Sequence, residues 1–326
     1  MTHKRHYNVY IASCDEKGGI YHYALREDGR LCEKSFTPLD HPMFLHIYNN
    51  RMYAVLRSPF ENSKESGLIS FDIAEDGALR DPSDVVSTKG EVSCHLTVDG
   101  DVYCVNYISG SVIKMPSGLV VHKGKGIHPT RQTSPHPHQI IFTPDKKYLC
   151  VTDLGLDKII VYDRELNGIS SVSLPPGSGA RHLAFSPDGQ YAYCANELAS
   201  SVTALDYCGG TLTPLETYSA LPSGFQGENT AAAIRVSNGG SFVYVSNRGH
   251  DSIACFTVSG NTLRLNEFVP CGGSSPRDFN ISPDERFLIC TNENSDNVCV
   301  FEMKNGIPEK TQYDVNIKSP LCVLYD

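Results

Sequence analysis

A short unit recurs along this chain, and its repetition leaves few folds open. Its clearest copy is Ala180-Arg181-His182-Leu183-Ala184-Phe185-Ser186-Pro187-Asp188-Gly189-Gln190-Tyr191-Ala192-Tyr193-Cys194-Ala195-Asn196-Glu197. One apolar run ends at Phe185, Ser-Pro-Asp-Gly supplies turn chemistry, and a second run spans Tyr191 to Ala195. The two runs read as an antiparallel hairpin, which brings Arg181 and Glu197 to the same end. The second strand recurs as Asn8 to Ser13, Met52 to Leu56, Val102 to Asn106, Tyr148 to Asp153, Tyr191 to Asn196, Phe242 to Asn247 and Phe287 to Asn292. Between their last residues the spacings are 43, 50, 47, 43, 51 and 45, the size of a four-stranded propeller blade.

A third strand follows each second one: Gly19 to Leu25, Gly67 to Ile73, Gly110 to Met115, Lys158 to Tyr162, Ser201 to Leu205, Ser252 to Val258 and Asn297 to Met303. The fourth strands are weaker and more polar, as outer edge strands are. The chain begins on a second strand and ends with Ser319-Pro320-Leu321-Cys322-Val323-Leu324, which resembles Ser275-Pro276-Arg277-Asp278-Phe279-Asn280-Ile281. This tail is expected to supply the missing inner strand of the first blade and close the ring. The pattern predicts an all-β, seven-bladed β-propeller, a single domain over residues 1–326. Pro116 to Ser134 reads as the longest irregular insertion, a loop on the functional face.

The formal net charge of −9 argues against a general nucleic-acid binder, yet a few local arginines can still dominate one pocket. No apolar run reaches transmembrane length, and the opening residues lack the apolar segment of a secretory signal and run into a strand. The expectation is a cytoplasmic protein, monomeric or weakly homo-oligomeric, with no membrane or nucleic-acid partner. The 12 cysteines form no C-x-x-C pair, and Cys104, Cys150, Cys194 and Cys290 fall in equivalent or adjacent strand slots. They read as buried thiols. His128, His136 and His138 do not follow a ligand spacing, so no metal is expected. There is no G-x-S-x-G elbow, no G-x-G-x-x-G and no phosphate loop, which leaves nucleotide cofactors without support.

Aligned on the last apolar residue of each inner strand, Phe142, Phe185 and Ile281 are equivalent, and four residues earlier stand His138, Arg181 and Arg277. Cys94 and Ala232 fill the same slot elsewhere. The slot lies at the channel mouth, where Glu197, Arg248 and Asn292 arrive from the ends of second strands. Arg131 and His136, with His128 and Gln132, lie close to His138 in sequence and offer substrate contacts. Arginines bind carboxylate or phosphate through paired donors, and His138 and Glu197 can move protons. The set suits a small anionic substrate. A propeller serving as a binding platform is the alternative from another class, and it would show an apolar rather than a charged mouth.

Several stretches together resemble the lactonase family of seven-bladed propellers. They are Gly-Lys-Gly-Ile-His-Pro-Thr-Arg-Gln-Thr-Ser-Pro-His-Pro-His (124–138), Asp-Leu-Gly-Leu-Asp (153–157), Arg-His-Leu-Ala-Phe (181–185), Asn-Glu-Leu (196–198), Gly-Phe-Gln-Gly-Glu-Asn-Thr-Ala-Ala (224–232), Ser-Asn-Arg-Gly-His-Asp-Ser-Ile (246–253), Pro-Arg-Asp-Phe (276–279) and Asn-Ser-Asp-Asn-Val (294–298). The resemblance implies metal-independent chemistry on a lactone ring, as in propeller-type 6-phosphogluconolactonases or in carboxymuconate-lactonizing enzymes. It implies that His138, Arg181, Glu197 and Arg248 are catalytic and that Glu228, His250 and Arg277 line the pocket. The expected reaction is hydrolysis of 6-phosphogluconolactone. Arg181 and Arg248 would hold the anion and polarise the carbonyl, and Glu197 or His138 would activate water. Closure or opening of a carboxymuconolactone is the alternative chemistry.

Overall fold

The computed structural model describes residues 6–60 and 62–326; residues 1–5, which include most of the opening segment read above, lie outside them. Among the described residues every regular element is a strand, and the strands form seven antiparallel sheets. Blade one orders Pro320–Tyr325, Tyr7–Ser13, Gly19–Leu25 and Leu31–Pro38 from the inside outward. Blade four orders Pro137–Phe142, Leu149–Asp153, Lys158–Tyr162 and Gly168–Ser173, and blade five Ala180–Phe185, Tyr191–Asn196, Ser201–Cys208 and Thr211–Ser219. Blades six and seven begin with Thr230–Val236 and Pro276–Ile281, and blades two and three with Pro42–Tyr48 and Ser93–Asp99. This is a seven-bladed β-propeller. In blade two the outer strand is broken into Leu79–Arg80 and Val86–Ser87, both paired to Ser66–Ile73.

The repeated turn is built by its own side chains. In blade five the Ser186 hydroxyl accepts from the Tyr191 amide at 2.9 Å and donates to Asp188 at 2.5 Å, and Asp188 accepts from the Gln190 amide at 3.0 Å. Thr143 with Asp145 and Ser282 with Asp284 repeat the arrangement in blades four and seven. These bonds fix the turn and with it the register of the hairpin. The core lies between neighbouring blades. Tyr193, Ala195 and Val202 of blade five meet Ile234, Val243, Val245 and Phe256 of blade six in one buried cluster. Each large side chain so buried stabilises the fold by about 1.5–3 kcal/mol. All 12 cysteines are free, and nine of them are buried, in line with the strand-slot reading.

The tail closes the ring as the sequence suggests. Ile11 pairs with Val323 and Val9 with Tyr325, while Leu321, Cys322 and Val323 are buried. The expected irregular insertion from Pro116 to Ser134 is corrected in its first part. Gly118–Val121 is the outer strand of blade three, pairing Val120 with Val112 and Leu119 with Ile113. Its Leu-Val-Val content favours a strand, and the loop proper runs over 122–136.

Deleting residues 319–326 strips Tyr7–Ser13 of its inner partner and removes three buried apolar side chains. The loss is expected to exceed roughly 6 kcal/mol, lowering the calorimetric melting midpoint by about 10 °C or more. An unchanged midpoint would contradict closure by this strand.

Candidate active site

The site is made by a register defect repeated in every blade. Where the inner strand starts, its pairing with the second strand skips one residue. Ala180 pairs with Asn196 and His182 with Ala195, so Arg181 is left out. The same step leaves out Met43, Cys94, His138, Arg277 and Leu321 in five other blades. Blade six inserts one extra residue between Ala231 and Ile234. Such a bulge re-aims a side chain. Met43, Cys94, His138, Arg181, Arg277 and Leu321 all line one crevice at the floor of the mouth.

The walls come from the residue that follows each second-strand partner: Arg57, Tyr107, Glu197, Arg248 and Glu293. With Arg131 they enclose a cavity of about 390 Å³ above the floor. Gly249 holds Arg248 in place. It has φ +121°, and a Cβ there would stand 2.1 Å from the Glu228 carbonyl oxygen.

At the centre is Glu197, whose side chain is 4% exposed and takes three guanidiniums. Arg131 Nη2 reaches Oε1 at 2.5 Å, and Arg181 Nε and Arg248 Nη2 reach Oε2 at 2.9 Å each. Burial alone would raise the Glu197 pKa, but Arg248 and Arg181 outweigh it and hold the carboxyl well below the usual range. Glu197 is therefore a fixed carboxylate. Burial, then the Arg248 charge, pushes Arg181 down to about 9, which leaves it cationic at neutral pH. Arg277 pairs with Glu293 at 3.1 Å. Arg57 lines the cavity with no carboxylate partner among the described residues. Over the cavity and its floor, five guanidiniums against three carboxylates (Glu197, Glu293 and Asp278) leave a positive mouth in a chain of net charge −9. Burial, then Arg181, pushes His138 well below its ordinary value, so its imidazole is neutral at neutral pH. Burial pushes the Cys94 thiol up to about 12, which keeps it protonated and non-nucleophilic.

The loop bearing Arg131 is pinned at both ends. Asp153 accepts from the His136 amide at 2.8 Å and contacts His122 Nδ1 at 2.6 Å. The buried Gln132 donates to Leu154 O at 2.8 Å and Asp157 Oδ1 at 2.7 Å, and accepts from the His128 amide at 3.0 Å. Arg131 is thus held ready before any ligand arrives.

Residues 8–325 match the sequence model of the family described as Lactonase, 7-bladed beta-propeller. The chain belongs to the lactonase family. A Staphylococcus aureus protein described only as uncharacterized is 34% identical, over 98% of this chain and 99% of that one. The structure of a candidate 6-phosphogluconolactonase from Bacteroides fragilis superposes with a TM-score of 0.90, at 27% identity over 100% of this chain and 99% of that chain. A periplasmic gluconolactonase from Pseudomonas aeruginosa gives 0.86, also at 27% identity, over 98% and 99% of the two chains.

In this member of the family the structure brings His138, Arg131, Glu197, Arg248 and Arg277 around one cavity. Arg181 lies beneath Glu197, 2% exposed, and lines the floor crevice rather than the main cavity. Its expected contact with substrate is replaced by support of Glu197. Asn292 is fully buried and donates to Cys271 O at 3.2 Å; the wall position belongs to Glu293, one residue later. His136 stacks on Tyr107 at 4.4 Å and donates through Nδ1 to the Tyr107 carbonyl at 2.8 Å, so it backs the wall instead of forming it. His250 bonds Ser252 at 2.6 Å and sits edge-on to Phe225 and Phe268, clear of the cavity lining. Glu228 is exposed and lines an outer groove of about 610 Å³ that shares Arg131 and Arg248 with the cavity. Arg57, Tyr107 and Glu293 are the residues the sequence reading missed. They sit one place after Leu56, Asn106 and Asn292, as Glu197 does after Asn196, so the repeat register could have found them.

Replacing Glu197 by Gln leaves buried guanidiniums uncompensated and is expected to cost about 3–5 kcal/mol in chemical denaturation at pH 7. The folded pKa of Glu197 is depressed, so its contribution is complete above the ordinary value of 4.5 and fades as pH falls toward the lower folded value. The stability gap between wild type and Glu197→Gln should therefore be constant from pH 7 to 5 and shrink below about 4.5. A gap that grows in acid would contradict this charge assignment.

Proposed function

We propose that this lactonase hydrolyses a small anionic sugar lactone, and that its substrate is 6-phosphogluconolactone. The observation that carries the reading is the excess of arginine over carboxylate in one half-open cavity of about 390 Å³, beside a neutral histidine. The volume suits one sugar ring with its phosphate. Arg57, free of carboxylate partners among the described residues, and Arg277 across the floor offer the phosphate paired donors. Arg248 keeps a buried Nε without a protein partner, a donor for the oxyanion that forms at the lactone carbonyl.

Of the two candidate bases, Glu197 is committed to three guanidiniums and is a weak proton acceptor, whereas His138 is neutral and lines the cavity. In the proposed sequence His138 takes a proton from water as the water oxygen bonds to the carbonyl carbon. The tetrahedral intermediate collapses, the ring C–O bond breaks, and His138 returns the proton to the departing ring oxygen. The product is the open hydroxy acid, which loses its carboxyl proton to solvent. Glu197 holds Arg131 and Arg248 at fixed positions throughout.

The test is turnover of 6-phosphogluconolactone, gluconolactone and a carboxymuconolactone, each corrected for spontaneous reaction. The expected order puts the phosphorylated lactone first; no acceleration of any lactone would overturn the proposal. His138→Gln is expected to lower kcat by about 10²–10⁴-fold. Arg57→Ala should raise KM for the phosphorylated lactone by about 10–100-fold, the worth of one charge-assisted bond, and leave gluconolactone unaffected. Because a base must be unprotonated and the His138 pKa is lowered, the rate should be flat at neutral pH and fall only below its ordinary value of about 6.5.

A further inference from the structure

Beneath the main cavity the floor crevice has a volume of about 20 Å³. One water molecule needs roughly 10–15 Å³ by such a measure. Three polar atoms on residues lining it, Arg181 Nη1, His138 Nδ1 and His182 Nδ1, are buried and have no hydrogen-bond partner in the protein. Their residues are 2%, 7% and 5% exposed, and the two imidazole rings lie 5.3 Å apart at 71°. Leaving one such group unsatisfied costs about 1–3 kcal/mol, and three of them on residues that line one water-sized space make a setting in which internal waters are held, each making about three bonds.

We propose that one ordered water occupies this crevice, bonded to Arg181 Nη1, His138 Nδ1 and His182 Nδ1, and that through it His182 sets the tautomer of His138. The assignment of protons follows from the donors and acceptors available. Arg181 can only donate, so it takes one lone pair of the water oxygen. A His138 that accepts a proton at Nε2, as the proposed function requires, must carry its own on Nδ1 and donate it to the second lone pair. The water then donates to His182 Nδ1. When His138 becomes an imidazolium the Nδ1–H bond to the water is retained, so the floor need not rearrange during turnover. His182 acts through the water and is a positioning residue. The groups that face the pair are Arg181 beside His182, His95, Arg235, Arg277 and Asp278 from other inner strands, and Glu197 and Arg248 from the wall. Asp278 is itself paired with Arg235 at 2.7 Å and accepts from the Val323 amide at 3.1 Å.

The experiment is ¹⁵N NMR of the full-length, histidine-labelled protein near pH 7.5, with His138 assigned by its loss in His138→Gln. Wild type is expected to show His138 protonated on Nδ1. His182→Phe should shift His138 toward the Nε2–H tautomer and lower kcat by about tenfold or more with KM little changed. His182→Asn places an amide oxygen where Nδ1 stood and should keep both tautomer and kcat. A wild-type His138 protonated on Nε2, or a His182→Phe protein with tautomer and kcat unchanged, overturns the proposal. If His182→Phe does not fold, the wild-type tautomer and the His182→Asn protein decide it, and loss of the tautomer in His182→Asn counts against it. The tautomer is read without any lactone. A protein that turns over no lactone yet shows Nδ1–H on His138 refutes the proposed function alone, while rapid turnover with Nε2–H refutes this inference alone.

Discussion

One extra residue at the mouth end of each inner strand organises the functional face. A regular strand would send Arg181, His138 and Arg277 to one side of the sheet or the other, into the packing between blades. The bulge releases each from the alternation and turns it to the channel, while the strand resumes its register one residue later. The propeller then brings these positions together around one axis. Scaffold and site are therefore separable: the strand register past the bulge carries the packing, and the bulged residue is free to vary. Met43, Cys94 and Leu321 occupy the same positions in other blades and make part of the floor apolar.

Packing Arg181 and Arg248 into a nearly dry site is costly unless their charge is met, and Glu197 meets it while also holding the half-exposed Arg131. Its carboxylate spaces the guanidiniums, fixes two of them toward the cavity and leaves the whole mouth positive. Burial, with Arg181, Arg277 and Arg248, also keeps His138 neutral. One arrangement thus yields anion attraction and an available proton acceptor together. Asp153 and Gln132 extend the order outward by fixing the loop that delivers Arg131. Preorganisation of this kind spares the ligand the cost of ordering its own binding groups.

The blade count, the ring closure and the bulge slot were legible in the sequence because turn chemistry and apolar runs repeat at a nearly constant interval. His138, Arg181 and Arg277 emerged from that alignment alone. In blade seven the sequence points to Asn292, one residue short of the wall, because a polar residue ending an apolar run looks like the mouth. Asn292 is instead buried and ties the strand end to the preceding segment, as Asn247 does through Ala220 O at 2.7 Å. His136 and His250 misled for a related reason. Their chemistry suits a site, but packing against Tyr107 and against Phe225 and Phe268 is set by neighbours far away in sequence. Whether an arginine touches substrate or props up a carboxylate, as with Arg181, depends on depth, which no linear pattern records.

The most direct test of this account is a crystal structure with the hydroxy acid product, 6-phosphogluconate, soaked into the protein. The phosphate is expected against Arg57 and Arg277, and the new carboxylate beside Arg248 within hydrogen-bond reach of His138 Nε2. Product bound only in the outer groove by Glu228, or on the opposite face of the ring, would contradict it.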